Sequence, residues 1–170
     1  MIAKFKGINT ILKELGKGYA INVGIMGSKA DDIHKIKNEK GEWVEPKEPL
    51  TNGFIGAIHE FGSVSRNIPA RSFLRFPLRI GLPTKLRLNQ KGMVNALLQG
   101  TFKNWLTKLG FACEEIVDHA FESSGDGSWK PLKASTIRAR KKKGADKFLP
   151  LIDTGQLRRS ISSEVVVDED

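Results

Sequence analysis

One stretch constrains the fold more than any other. Between Met93 and Phe121 apolar residues recur three and four positions apart: Val94, Leu97, Leu98, Phe102, Trp105, Leu106, Leu109, Ala112, Ile116, Val117 and Ala120. An α-helix returns a side chain to the same face every 3.6 residues, so this spacing predicts one helix laid along a core. Gly100 and Gly110 weaken it, each by roughly 1 kcal/mol against alanine. The chain has 170 residues, 39% of them apolar. That is enough for one core built on this spine and too little for two.

The flanking segments predict what the spine packs against. Residues 1–18 read as an amphipathic helix with Phe5, Ile8, Ile11, Leu12 and Leu15 on one face. Ile21, Val23 and Ile25 alternate within Tyr19–Gly27, a half-buried strand. Residues 28–52 carry charge, Gly41, Pro46 and Pro49, and read as a long exposed loop or hairpin anchored by Trp43 and Val44. A short helix is expected from Thr51 or Asn52 to Gly62, its apolar face Phe54, Ile55, Ile58 and Phe61. Phe73–Leu78 reads as a strand and 81–92 is ambiguous. After the turn-rich 123–131 a basic helix is expected from near Ser135. Asp153 and Gln156 have the spacing of a helix-capping pair, and Ile161–Val167 reads as a closing strand. The expected fold is therefore α+β, one domain over 1–170. A small antiparallel sheet joins the two ends and packs on one long central helix with shorter helices around it. An exposed loop at 28–52 and a basic loop-helix at 123–150 leave that body.

Charge and the scarcity of reactive constellations narrow the function. The formal net charge is +9, which favours a polyanion, an acidic protein face, or an assembly whose neighbours balance it. Cations crowd between Trp129 and Lys147, whereas the stretch after Ser163 holds Glu164, Asp168, Glu169 and Asp170. Opposite charge at different places suits head-to-tail contacts between copies. One cysteine, Cys113, allows no internal disulfide and no cysteine-based zinc cage, and suits a protein folded in a reducing cytoplasm. Cys113 itself reads as a small core residue. No run approaches the ~20 apolar residues of a membrane span, and the start lacks the features of a signal peptide. His59 and Glu60 are adjacent but lack the second histidine of a zinc hydrolase, and point to different helix faces. His119 beside Asp118 reads as a surface pair, and His34 lies in the polar loop. No acid–base or nucleophilic constellation emerges, and the glycines fit no phosphate loop. The expectation is a protein that is not an enzyme and holds no cofactor or metal. Glu60→Gln is expected to be tolerated unless Glu60 pairs with a structural arginine.

Two segments carry a family resemblance when taken together. They are AIHEFGSVSRNIPARSFLR, residues 57–75, and GSWKPLKASTIRARKKKGADKFLPLIDTGQLRRSIS, residues 127–162. Their matching residues are His59, Glu60, Phe61, Gly62, Pro69, Ala70, Arg71, Phe73 and Leu74, then Trp129, Leu132, Thr136, Leu151, Thr154, Gly155, Leu157, Arg158, Ser160 and Ile161. In this order and spacing they resemble the phage virion morphogenesis family, which includes tail-completion and neck proteins of tailed bacteriophages. The resemblance covers the chain from about residue 50 onward. It departs from the family at Lys133, where a small capping residue is usual, so that helix is expected to start later, and in the long 28–52 loop.

The resemblance implies a small α+β structural protein made in the host cytoplasm and built into the virion at the head–tail junction. Copies would form a ring, six-fold in the family, around the DNA channel, touching neighbouring neck or tail proteins. Arg71 and Arg75, on one strand parity, and Arg158 and Arg159 are the expected interface residues. Arg138, Arg140, Lys141, Lys142 and Lys143 are expected to meet a partner or DNA in the channel. The alternative is a nucleic-acid-binding protein using the same 138–143 cluster, whose affinity would fall steeply with salt.

Overall fold

Where the chain turns is set largely by its glycines and by a few buried polar groups. The computed structural model describes residues 6–38, 40–145 and 147–168. Phe5, Asp146, Glu169 and Asp170 lie outside the described residues, as does the side chain of Ile8. The elements run α1 (Lys6–Leu15), β1 (Gly18–Ile25), α2 (Ser28–Asp31), β2 (Ile36–Lys37), β3 (Trp43–Val44) and α3 (Asn52–Phe61). Then come α4 (Arg75–Leu88), α5 (Gln90–Gln99), α6 (Phe102–Glu122), α7 (Ala134–Lys142), α8 (Gln156–Arg159) and β4 (Ile161–Asp168). The fold is α+β, as expected.

The two ends pair as the alternation suggested. β1 and β4 run antiparallel, from Gly18 opposite Asp168 to Ile25 opposite Ile161. The ribbon packs on α6, and Gly110 is where the helix comes closest. A Cβ there would lie 2.7 Å from Ser163 Oγ, and Ser163 Oγ donates to Glu114 Oε1 at 2.6 Å. Gly110 thus lets helix and sheet approach, in addition to weakening the helix.

The expected single helix over 93–121 is two helices. Gly100 adopts φ 69° as the left-handed C-cap of α5, and its N–H donates to the carbonyls of Ala96 and Leu97. A left-handed residue cannot continue the spiral, so α6 starts afresh at Phe102. The break lets α5 pack against both α1 and α6.

The expected strand over 73–78 is also overturned, because Arg75–Leu88 is a helix. Its first amides are captured by side chains: Phe73, Leu74 and Arg75 N–H donate to the Glu60 carboxylate, and Phe76 N–H to Ser72 Oγ at 3.0 Å. Pro77 falls in the first turn, where no intrahelical partner for an N–H exists. Helix α3 is capped by Thr51, whose Oγ1 accepts from Phe54 N at 3.2 Å. Its inner stripe, however, is Asn52, Gly56 and Glu60. Ile55 packs on the core, while Phe54 and Phe61 face outward, 47% and 63% exposed.

Of the two forms expected for residues 28–52, the hairpin is the one present, as β2–β3, preceded by the short α2. Trp43 does not anchor it: the ring is exposed, with Lys37 Nζ 5.3 Å from its centroid. The anchors are His34 N–H to Leu50 O, Asn52 N–H to Asp32 O, and Gln156. The Gln156 amide donates to Ile33 O at 2.9 Å and accepts from Lys35 N at 3.0 Å. Gln156 is therefore no partner of Asp153 in a capping pair: the N-cap of α8 is Gly155, φ 74°, and Asp153 Oδ1 pairs with Arg140 Nε at 3.1 Å. Helix α7 begins at Ala134 with Lys133 as its N-cap and no side-chain cap bond.

The main core is built on the last turns of α6 from segments before and after it. Phe73, Trp129, Leu151 and Leu157 close around Val117, Ala120 and Phe121 of α6. Phe121 meets Phe73 with ring centroids 5.2 Å apart and Trp129 edge-on at 6.1 Å.

Candidate functional site

The two segments that carry the resemblance, separated by some fifty residues of α4–α6, are stitched together by one buried arginine. Arg71 is 7% exposed, and its Nε and Nη2 donate to Lys130 O at 3.1 and 2.9 Å. Arg71 N–H donates to His59 O at 2.7 Å. This corrects the expectation that Arg71 faces a partner, because its guanidinium is spent inside the fold. Arg75 follows a different course. Its Nε reaches Glu60 Oε1 at 3.0 Å and its guanidinium lies 4.2 Å from the Phe61 ring centroid. Both depart from the shared strand parity expected of them, since Arg75 opens a helix.

Between these segments lies a cavity of about 480 Å³. Ile55, Ile58 and His59 of α3 form one wall, and Leu132, Thr136 and Arg140 another. Thr154, Gly155, Gln156 and Leu157 close the floor, while His34 and Ile36 reach in from the 28–52 segment. His34 is held by its Nδ1, 3.0 Å from Asn52 Oδ1. Arg66, Arg71, Lys133 and Arg140 line the cavity against one acid, Asp153. Its surroundings are thus half apolar and electropositive.

Two strained or unsatisfied features border the cavity. His59 Nδ1 is buried with no hydrogen-bond partner, an arrangement that costs free energy unless something else approaches it. Leu151 is buried at φ 62°, a left-handed conformation uncommon outside glycine. Arg140 holds it by donating from Nη1 to Leu149 O at 2.9 Å and to Ile152 O at 2.7 Å. Arg140 is consequently not part of the exposed basic cluster expected on this helix. Arg138, Lys141 and Lys142 are exposed, and Lys143 is half-buried.

Compared with family models, curated proteins and solved structures, the chain finds no match. The reading of the site therefore rests on its own geometry. Among the described residues no group of His, Cys, Asp or Glu is placed to hold a metal ion, and no helix is long and apolar enough to cross a membrane. Cys113 is buried on α6; burial, then Glu114, pushes its thiol pKa up. Arg158, expected at an interface, forms a two-pronged bond to Asp118, its Nη2 to Oδ2 at 2.5 Å, and reaches Glu122 Oε1 at 2.7 Å. Arg159 is exposed and donates to Thr154 O at 3.1 Å. His119, expected to pair with neighbouring Asp118, instead lies 3.2 Å from Asp126 Oδ1. Sequence reasoning took Asn52 for a possible helix start and Gln156 for a capping partner, and missed their roles toward His34, Lys29, Ile33 and Lys35, far away in the chain. It also took the inward side of α3 for its polar side.

The His59 environment makes a testable statement about pH. Burial, with Arg71, His34 and Arg140 adding to it, lowers the His59 pKa from 6.5 to about 4. The unfolded chain takes up this proton near pH 6.5 and the folded chain only near 4. Between those values the unfolded state binds more protons, so stability falls as pH falls, by up to about 3 kcal/mol. Denaturation midpoints measured from pH 7 to pH 4 are expected to lose most of this slope in His59→Leu. An unchanged slope would mean that His59 is not the group responsible.

Proposed function

We propose that this chain is a structural assembly protein of a tailed bacteriophage, a tail-completion or neck subunit acting in a ring of copies where tail meets head. The observation that carries this reading is unsatisfied surface. Apolar side chains supply it: Leu12 and Leu15 on α1, Phe76, Ile80 and Leu88 on α4, and Phe111 on α6 are all exposed. Phe76 and Ile80, one turn apart on α4, line one groove, and apolar exposure that clusters in this way marks surfaces that neighbours cover. The resemblance of residues 57–75 and 127–162 to virion morphogenesis proteins adds to it, since those residues converge on one cavity and one core. The polar groups among them, Glu60, Arg71 and Arg158, are spent on internal bonds rather than presented to a substrate.

The reading is tested by light scattering on the purified chain and by labelling it in intact particles. A discrete oligomer, and label confined to the head–tail junction, is the expected result. A monomer at every concentration, or label elsewhere in the particle, speaks against it. A second reading, direct contact with nucleic acid, is favoured by one observation: Arg138, Lys141 and Lys142 project from α7 into solvent. Neutralising Arg138, Lys141, Lys142 and Lys143 together, with Arg140 left in place, is expected to change folding stability by no more than about 0.5 kcal/mol. Head–tail joining is expected to fail in that variant. A defect that persists with emptied heads points to a protein neighbour, and one that disappears points to DNA.

A further inference from the structure

The cavity beside His59 has a chemistry that calls for an occupant. Four cationic side chains, Arg66, Arg71, Lys133 and Arg140, line it against Asp153 alone. The rest of its lining mixes apolar side chains such as Ile55, Ile58 and Leu132 with uncharged polar ones such as Thr136 and Gln156, and one buried nitrogen, His59 Nδ1, has no partner. A volume of about 480 Å³ lies within the range of cavities that enclose a ligand. The occupant that fits is acidic, because a carboxylate both offsets the surplus charge and offers His59 Nδ1–H an acceptor.

The chain itself carries such a segment. After Arg159 no cation occurs, and Asp168, Glu169 and Asp170 stand in a row behind three valines. The strand that leads to this row runs away from the cavity of the same copy. Gln156 and Leu157 of α8 line the cavity, β4 starts at Ile161, and the strand runs straight along β1 to Asp168. Seven steps of an antiparallel strand span about 24 Å. The Asp168 main chain therefore lies at the end of the ribbon away from the socket, and two further residues reach at most about 7 Å, too short to return. That polarity suits contact between copies and not within one.

We propose that this cavity is the socket for the acidic stretch 168–170 of a second copy of the chain, so that copies join head to tail. The proposal rests on the oligomeric reading above and names the contact that builds the oligomer. Plug and socket are different surfaces, so the contact is heterologous. Repeated, such a contact closes into a ring when the rotation between copies allows it and otherwise extends as a filament.

The test uses two full-length chains, Thr136→Cys and Glu169→Cys, with buried Cys113 unchanged. Thr136 lines the cavity. On mild oxidation the mixture is expected to give a disulfide between the two different chains. A second measurement does not depend on cysteine chemistry. The triple variant Asp168→Asn, Glu169→Gln, Asp170→Asn is expected to weaken self-association roughly tenfold or more with unfolding stability unchanged. Light scattering on the unmodified chain separates the possible failures. A chain that is monomeric throughout overturns the oligomeric reading, and this proposal with it. A chain that assembles, yet gives no cross-link and is indifferent to the triple variant, overturns the socket alone.

Discussion

Glu60→Gln is expected to destabilise the folded chain by about 3–5 kcal/mol, although it exchanges one oxygen for an amino group. The Glu60 carboxylate is 5% exposed and meets only donors. Its Oε1 accepts from Ser72 Oγ at 2.6 Å, Arg75 N at 3.1 Å and Arg75 Nε at 3.0 Å. Its Oε2 accepts from Phe73 N at 2.9 Å and Leu74 N at 3.0 Å. Whichever way the glutamine amide is turned, its NH2 faces at least two of these donors with nothing to accept them. Burial pushes the Glu60 pKa up, but the bonds from Ser72, Leu74 and Arg75 outweigh it and hold the carboxyl below its usual value of 4.5. The native state therefore binds this proton less readily than the unfolded chain. The associated stability is present above pH 4.5 and is lost as pH falls through the lower, folded pKa. This window lies below that of His59, so the two groups can be told apart in one titration. Urea unfolding of the variant at pH 7 checks the magnitude, and a loss under 1 kcal/mol would show that the cap is dispensable. The structural arginine that makes this substitution costly is Arg75, and four further donors share its role.

Gly62→Ala should cost about 3 kcal/mol, most of it from one contact that cannot relax. Gly62 adopts φ 79°, and a Cβ there would lie 2.8 Å from the backbone nitrogen of Ala70 and 3.1 Å from Ile68 O. The left-handed conformation alone costs a side chain roughly 1 kcal/mol or somewhat more. Forcing atoms into a filled space adds typically 1–3 kcal/mol, here against main chain held by Ser63 and Ile68, which exchange hydrogen bonds at 2.9 Å. Gly127 supplies the control, with a similar φ of 76° and nothing within 4 Å of its would-be Cβ. Gly127→Ala is therefore expected to lose only the conformational part. Equal losses in the two variants, read from thermal or urea unfolding, would mean that the close approach of Gly62 to Ala70 contributes nothing.

Much of the architecture was legible in the sequence wherever a periodic apolar pattern coincided with the buried face. The strands β1 and β4, the helical nature of 102–122 and the Thr51 cap follow from local spacing, because alternation and the 3.6-residue repeat are local properties, and the pairing of the two strands followed from their places on either side of the helices. The same reasoning failed where interior positions are not apolar. On α3 the inward stripe is Asn52, Gly56 and Glu60. A Cβ on Gly56 would meet Ile25 Cδ1 at 2.5 Å, and Asn52 and Glu60 are buried because distant groups satisfy them. Residues 73–78 alternate like a strand, yet they enter a helix because the Glu60 carboxylate, on another element, binds their amides. Of the candidate site, the residues themselves were legible locally: two motif segments, a basic helix and the acidic stretch 168–170. How they are used depends on which distant groups they meet. Arg71 and Arg140 turned inward because carbonyl groups in the turns at Lys130, Leu149 and Ile152 accept from them. Arg138 and Lys141 stayed outside because nothing buried awaits them. A cation's side of the surface is set by which acceptors the completed fold leaves unsatisfied, and that quantity does not exist until distant parts of the chain have met.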